Sequence, residues 1–251
     1  FSMTKAESKV IDFIKKHILL FLLVAVTIIA IFLRVCGMDF QSDDFNSFLN
    51  SWWSIIKLND FTGLATQVGN YNIPYQVIIY LMTLLPLNAL YAYKIVSIIF
   101  DFVLAISTAM LVYSFAKNNR RLKAILTYSA VLLSTTVIFN SSFWAQCDSI
   151  YTSFIILAIL FLHKDKPIAS FVFIGIAFAF KLQTVFIIPV LLYYWISTKK
   201  ISILHFFIIP AVDVIMCLPA IIMGRPFIDI ITIYAEQTDY GKLIQMNCPN
   251  F

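Results

Sequence analysis

An all-α, polytopic membrane helix bundle is the fold this sequence predicts, and three observations predict it. Of the 251 residues, 61% are hydrophobic and only 12% charged, where a water-soluble domain carries about 25% charged residues. The mean hydropathy is +0.89. The apolar residues come in runs close to the roughly 20 that a spanning helix needs, with short basic clusters between them.

The chain opens on a basic segment, 1–16, expected to stay in the cytoplasm; Phe1-Ser2 ahead of Met3 reads as a vector remnant. The first apolar run, 17–35, is too long for a cleavable signal and lacks a small-residue cleavage site, so it reads as a retained anchor. Residues 17–251 then form one membrane module with an outer loop at 37–72. Further runs cover 90–116, 122–139, 149–162 and 201–223. The run 168–197 is broken by Lys181-Leu182-Gln183 and by Pro189, and its length favours two helices meeting at Lys181 over one kinked span. Residues 73–86, bounded by Pro74 and Pro86, are only marginally long. If they cross, the cluster Lys117, Arg120, Arg121 and Lys123 falls opposite the basic N-terminus. If they are re-entrant, every basic cluster shares the cytoplasmic side, and 37–72, 143–148, Lys181 and the residues after Gly224 face outward. The positive-inside bias favours the second arrangement. The net charge of +5 thus reports topology and not nucleic-acid binding.

Within the outer loop, apolar residues at 45, 48, 49, 52, 55 and 56 keep helical spacing, while Asn46, Asn50, Ser54 and Lys57 fall elsewhere on the wheel. This predicts an amphipathic helix over 44–57 in the membrane–water interface, with Trp52 and Trp53 at headgroup depth. Ser42 is its expected N-cap, which puts Asp43 and Asp44 in the first turn.

Four polar constellations fall on the same expected face. Asp43-Asp44 are either two solvated acids that start a helix or a general base for an acceptor hydroxyl. Gly69-Asn70-Tyr71-Asn72-Ile73-Pro74-Tyr75 is loop-to-helix punctuation or a sugar-binding lip, since Tyr and Asn offer a flat apolar face and hydrogen bonds. Trp144-Ala145-Gln146-Cys147-Asp148 is an aromatic belt with a helix-starting acid, or a polar site at the mouth of a span. Lys181, with Gln183 and Thr184, either snorkels to the interface or meets the phosphate of a lipid. Asp101, Asp213 and His205 stand in apolar runs without a motif; each could pair inside the bundle, and none is assigned a catalytic role. The four cysteines (Cys36, Cys147, Cys217, Cys248) show no CxxC or Cys/His metal spacing and read as isolated packing thiols. No Walker loop, GxGxxG, HExxH or serine elbow is present, which leaves nucleotide hydrolysis and zinc proteolysis without support.

Taken together, Ser42-Asp43-Asp44-Phe45 with Phe48-Leu49 and Trp52, and then Gly69 to Tyr75, resemble the first outer loop and following span of GT-C glycosyltransferases. The nearest group is the bacterial proteins related to the second GPI mannosyltransferase, whose loops often read Ser-Gly-Asp-Tyr and Gly-Asp-Tyr-Asn-Pro-Pro-Tyr. The stretch from Lys94 to Asp101 is similar to their next span, Phe143 to Ser149 to their Trp-Gly-Gln-x-Asp, and Phe180 to Thr184 to their Lys-x-Gln. The resemblance runs through nearly the whole chain in order. It implies an inverting transferase that takes one hexose from a polyprenyl-phosphate carrier, at the outer face of a bacterial plasma membrane, and delivers it to a glycan, glycolipid or polymer acceptor. No metal cofactor is implied.

By the resemblance the base falls on Asp44, with Asp43 where relatives have Gly. Substrate contacts would come from Tyr71, Asn72, Tyr75, Trp144, Gln146, Asp148, Lys181, Gln183 and Arg225. Asn70 replaces the usual Asp and Ala145 the usual Gly. Relatives continue beyond the point where this chain stops, so the resemblance implies the front part of a longer enzyme or an incomplete one. A flippase or carrier for a lipid-linked sugar is the alternative: it would use the same aromatic and basic lining without a base.

Overall fold

The computed structural model describes residues 3–239; Phe1-Ser2, Cys248 and the loop 247–251 lie outside the described residues. Eleven α-helices and several short 3₁₀ and π turns make up the described residues, with no strand among them. Helix α1 (Lys5–Val35) begins well before the apolar run at 17–35, because Thr4 and Glu7 form a reciprocal capping box there. The segment 37–72, expected to form the outer loop, holds a π turn (Phe45–Leu49) leading into α2 (Asn50–Asn59). Helix α3 (Ile73–Thr83) is capped by Asn72 with Pro74 in its first turn. Helix α4 (Ala89–Phe115) is capped by Asn88. Helices α5 (Arg120–Leu132) and α6 (Thr135–Ile138), the latter running into a π turn (Phe139–Phe143), form a pair bent by 50°. Helices α7 (Asp148–His163) and α8 (Pro167–Phe180) follow. The chain then breaks at Lys181, turns through Leu182–Ile187 and resumes as α9 (Ile188–Thr198) behind Pro189, so the apolar stretch after Pro167 is two helices, as its length predicts. Helices α10 (Ile208–Ile222) and α11 (Phe227–Asp239) complete the described chain.

Three helical stretches are long and apolar enough to cross a membrane: Lys5–Val35, Ala89–Phe115 and Ile203–Ile222; the bent pair would make a fourth. Their outer surfaces remain apolar, with Phe32 65% and Ile222 71% exposed. Helix α3 has 11 residues and is about 16 Å long, roughly half the hydrocarbon thickness, so it cannot cross by itself.

Helix α4 is the central post, packed on α5 and α7, while α8 packs on α7 and α10 and α1 leans on α5. Where α8 meets α10 the approach depends on Gly175: a Cβ there would lie 2.7 Å from Val212 Cβ and 3.1 Å from the Ile209 carbonyl oxygen. Small residues of this kind let helix backbones meet where no water is available to drive association. A buried polar brace ties five elements together. Arg34 Nε donates to Asp101 Oδ2 (2.8 Å), and its Nη1 to the carbonyls of Ala30 and Leu132 (3.1 and 3.0 Å). Ser141 and Ser149 donate to the same carboxylate at 2.5 and 2.6 Å. Asp101 therefore does pair inside the bundle, with Arg34. Lys94, also buried, donates to the carbonyls of Gly37 (2.7 Å), Met38 (3.0 Å) and Phe40, which pins the chain climbing from α1 to the outer loop.

The charge is segregated along the long axis. Lys15, Lys16 and Arg121 border one groove, Arg120 and Lys164 the next, and Lys200 pairs with Asp165 at 2.9 Å. All of these lie near the C-terminal end of α4, whereas the constellations around Asp44 lie toward its N-terminal end.

The outer-loop helix differs from expectation in which side it buries. Trp52 and Trp53 are only 8% and 5% exposed and pack with Phe45, Leu49 and Ile56 into the protein core. They are not headgroup anchors: the apolar stripe faces α3 and α4, and Phe48, Ile55 and Leu58 are left exposed instead. Helical periodicity marks a stripe but not what the stripe meets.

Candidate active site

Ser42 sets the site's geometry. Its Oγ accepts from the Phe45 amide (3.2 Å), the N-cap bond expected from sequence. The same hydroxyl donates to the Trp144 carbonyl (3.3 Å), which ties the outer-loop helix to the turn before α7. Asp43 and Asp44 occupy the first turn and separate in role. Asp43 is exposed and makes no hydrogen bond among the described residues, whereas Asp44 is half-buried.

Gln146 Nε2 donates to Asp44 Oδ2 at 2.6 Å, and Tyr71 Oη donates to Gln146 Oε1 at 3.1 Å. A chain of hydrogen bonds thus orients the carboxylate and leaves Oδ1 without a hydrogen bond among the described residues. Burial, with Cys147 and Asp148 nearby, pushes the Tyr71 phenol well above its ordinary range, so it stays protonated and donates. A small cleft of about 150 Å³ opens beside Asp44, lined by Phe48, Leu49, Trp52, Asn70, Tyr71 and Gln146. That is below the roughly 300–1,000 Å³ of clefts for larger ligands, so it takes one compact group. Trp52 meets Tyr71 edge-on at 5.5 Å between ring centroids.

Tyr71 joins this cleft to a second charged centre. Lys181 Nζ lies 5.6 Å from the ring centroids of Tyr71 and Tyr151 and forms an ion pair with Asp148, whose other oxygen accepts from Asn140 at 2.8 Å. The side chains of Lys181 and Asp148 are 14% and 37% exposed. Burial pulls the ammonium's pKa down, but Cys147 and Asp148 outweigh it and hold the group above its ordinary value. Burial pushes the Cys147 thiol up to about 11. Among the described residues no three His, Cys, Asp or Glu side chains come together as metal ligands.

Comparison with protein-family models, curated proteins and solved structures returned no match. Assignment therefore rests on the residues themselves.

Of the expected contacts, Asp44, Tyr71, Gln146, Asp148 and Lys181 are brought together. Trp144 is 43% exposed beside them, its ring tilted 38° against Phe40 at 5.9 Å between centroids. Four others need correction. Tyr75 is buried in the core against Tyr71. Asn72 is fully buried and spends its amide on the Ile73 cap, Asp213 and Tyr234. Arg225 is buried and bonds Gln67 and Gln76. Gln183 is exposed, without a hydrogen bond among the described residues, and does not line the Asp44 cleft.

Sequence reading missed Gln67 and Gln76. Both donate to the Tyr71 carbonyl (2.9 and 3.0 Å), so with Arg225 behind them they fix the Tyr71 turn. Their signal was two amides and a guanidinium within or flanking apolar runs, which says that partners exist but not which ones.

Gly69 closes the same turn at φ +74°, where a Cβ would fall inside the Trp52 indole. Gly69→Ala is therefore expected to cost about 1–3 kcal/mol through overpacking and an unfavourable backbone and to displace Trp52 from the cleft wall. A lowered melting temperature with altered tryptophan fluorescence checks this; an unchanged spectrum would show that the turn adapts elsewhere.

Proposed function

We propose that this chain is an integral membrane glycosyltransferase of the GT-C kind, which transfers one hexose with inversion from a polyprenyl-phosphate carrier to an acceptor hydroxyl at the outer membrane face. The observation that carries the reading is Asp44: a half-buried carboxylate, oriented by Gln146 and Tyr71, that lines an aromatic and amide-lined cleft. In the reaction Asp44 Oδ1 accepts the acceptor's proton, and the freed oxygen attacks the anomeric carbon. The bond to the carrier phosphate breaks on the opposite side, and the phosphate leaves with the electron pair. The Trp52 and Tyr71 side chains in the cleft wall suit the apolar face of a sugar ring. The Lys181 ammonium has three donors, so a departing phosphate can share it with Asp148 or displace that carboxylate. Asp148 thereby keeps the lysine charge compensated while the site is empty.

The length and apolar surface of α1, α4 and Ile203–Ile222 support the membrane placement. The gathering of basic residues at the far end supports an outward-facing Asp44. Single cysteines introduced in a Cys36→Ser background test the orientation. From outside intact cells, Trp144→Cys should be labelled and Arg120→Cys should not; the reverse pattern would sink the arrangement. Transfer of labelled sugar from polyprenyl-phosphate-hexose to an added acceptor by purified protein tests the reaction. A carrier would instead move the donor across vesicles unchanged.

A further inference from the structure

The end of the bundle remote from Asp44 carries an open groove that the chemistry above does not use. It lies between α1, α4 and α5, with a volume of about 580 Å³, within the roughly 300–1,000 Å³ range of ligand clefts. Its walls are hydrocarbon from Leu23, Ile106, Met110, Ala124 and Ile125. Three of the four hydroxyls in its lining are satisfied inside the protein: Thr27 and Tyr128 bond each other at 3.0 Å, and Ser114 donates to the Leu111 carbonyl at 2.7 Å, while Tyr113 is 41% exposed. A second groove of about 570 Å³ adjoins it, sharing Leu23, Tyr113, Ala124 and Ile125.

Cations rim both grooves. Arg120 and Lys164 border the first, and Lys15, Lys16 and Arg121 the second. Arg120 is held in place: its Nε donates to the Tyr113 carbonyl at 2.9 Å, and its guanidinium lies 4.2 Å from the Tyr113 ring centroid. This leaves both of its Nη groups without a partner among the described residues. The ion pairs among those residues are Arg34–Asp101, Lys181–Asp148 and Lys200–Asp165, so none of the five rim cations has a carboxylate. Asp165, next in sequence to Lys164, is taken by Lys200, and Asp12 on α1 forms no ion pair among the described residues.

We propose that these grooves bind an anionic glycerophospholipid, with an acyl chain along the apolar walls and the phosphodiester between Arg120, Arg121 and the α1 lysines. The inference rests on the membrane placement proposed above but is independent of glycosyl transfer. A free phosphate would satisfy the rim and leave the walls empty; a neutral phospholipid would do the opposite. Only an amphiphile with an apolar tail and an anionic head matches both, and basic pockets between membrane helices bind such headgroups.

The test begins with cell fractionation: recovery of the protein in the soluble fraction would overturn the membrane placement itself. Detergent-purified protein is then incubated with equal amounts of dioleoyl phosphatidylglycerol and dioleoyl phosphatidylcholine, and bound lipid is counted by native mass spectrometry. Wild type is expected to retain phosphatidylglycerol preferentially. Each cation beside an anionic headgroup contributes about fivefold, so Arg120→Gln with Arg121→Gln, both exposed, should reduce the preference about 25-fold. Ala124→Phe fills the wall and should reduce retention of both lipids, with the melting temperature measured alongside to confirm that the variant is folded. Equal retention of the two lipids by wild type overturns the proposal. So does a preference that survives the double arginine variant, or retention that is unaffected by Ala124→Phe, which would leave a charged surface without a bound chain.

Discussion

Asp101→Ala is expected to remove a large share of the protein's stability. The change leaves Arg34 charged, fully enclosed and without its carboxylate, and it strips Ser141 and Ser149 of their acceptor. Breaking a buried pair from one side typically costs about 3–5 kcal/mol, against a total of about 5–15 kcal/mol for a folded domain. The effect should also reach the site, because Ser141 and Ser149 flank the turn that carries Gln146 and Asp148. Replacing both partners by apolar residues of similar volume, Arg34→Met with Asp101→Leu, should recover much of the loss, since no buried charge is then left unpaired. Thermal unfolding of the detergent-solubilised variants checks both. An Asp101→Ala protein that melts like wild type would mean that Arg34 finds another partner or water.

Asp44→Asn is the second large effect and concerns chemistry alone. The amide keeps the size and can still bond Gln146 after an amide flip, but it cannot accept a proton. Turnover should fall about 10²–10⁴-fold, the usual worth of general base catalysis, which corresponds to about 3–5 kcal/mol of barrier. Donor affinity should change little, because in the proposed reaction the carboxylate meets the acceptor and not the carrier. Asp43→Asn should be mild, since that side chain is exposed and makes no hydrogen bond among the described residues. If Asp43→Asn is the inactive variant and Asp44→Asn is not, the base is Asp43 and the Gln146 bond only braces the loop.

Much of the helical layout was legible in the sequence, for reasons local to the chain. The break at Lys181 could be read because a lysine and a nearby proline interrupt an apolar stretch too long for one helix. The Ser42 cap could be read because a serine before two acids and a periodic run has few other uses. The role of α3 could be read only as a choice, which its 11 residues then narrow. What could not be read depends on distance along the chain. Trp52 and Trp53 turn inward because α3 and α4 lie beneath them. Arg34 and Asp101 are 67 residues apart, and each lacks a local motif. Asn72 and Arg225 carry the residue types of a binding lip, yet the fold uses them as internal supports, since buried amides and guanidinium groups must be satisfied wherever they fall.

The most direct test is a single turnover with purified protein and polyprenyl-phosphate-hexose carrying a labelled sugar, following acceptor product and lipid phosphate together. Wild type should release one lipid phosphate for each sugar that appears on the acceptor, and Asp44→Asn should bind the donor and release neither. Donor that binds and crosses the bilayer with its sugar still attached, at the same rate in both proteins, would contradict the account.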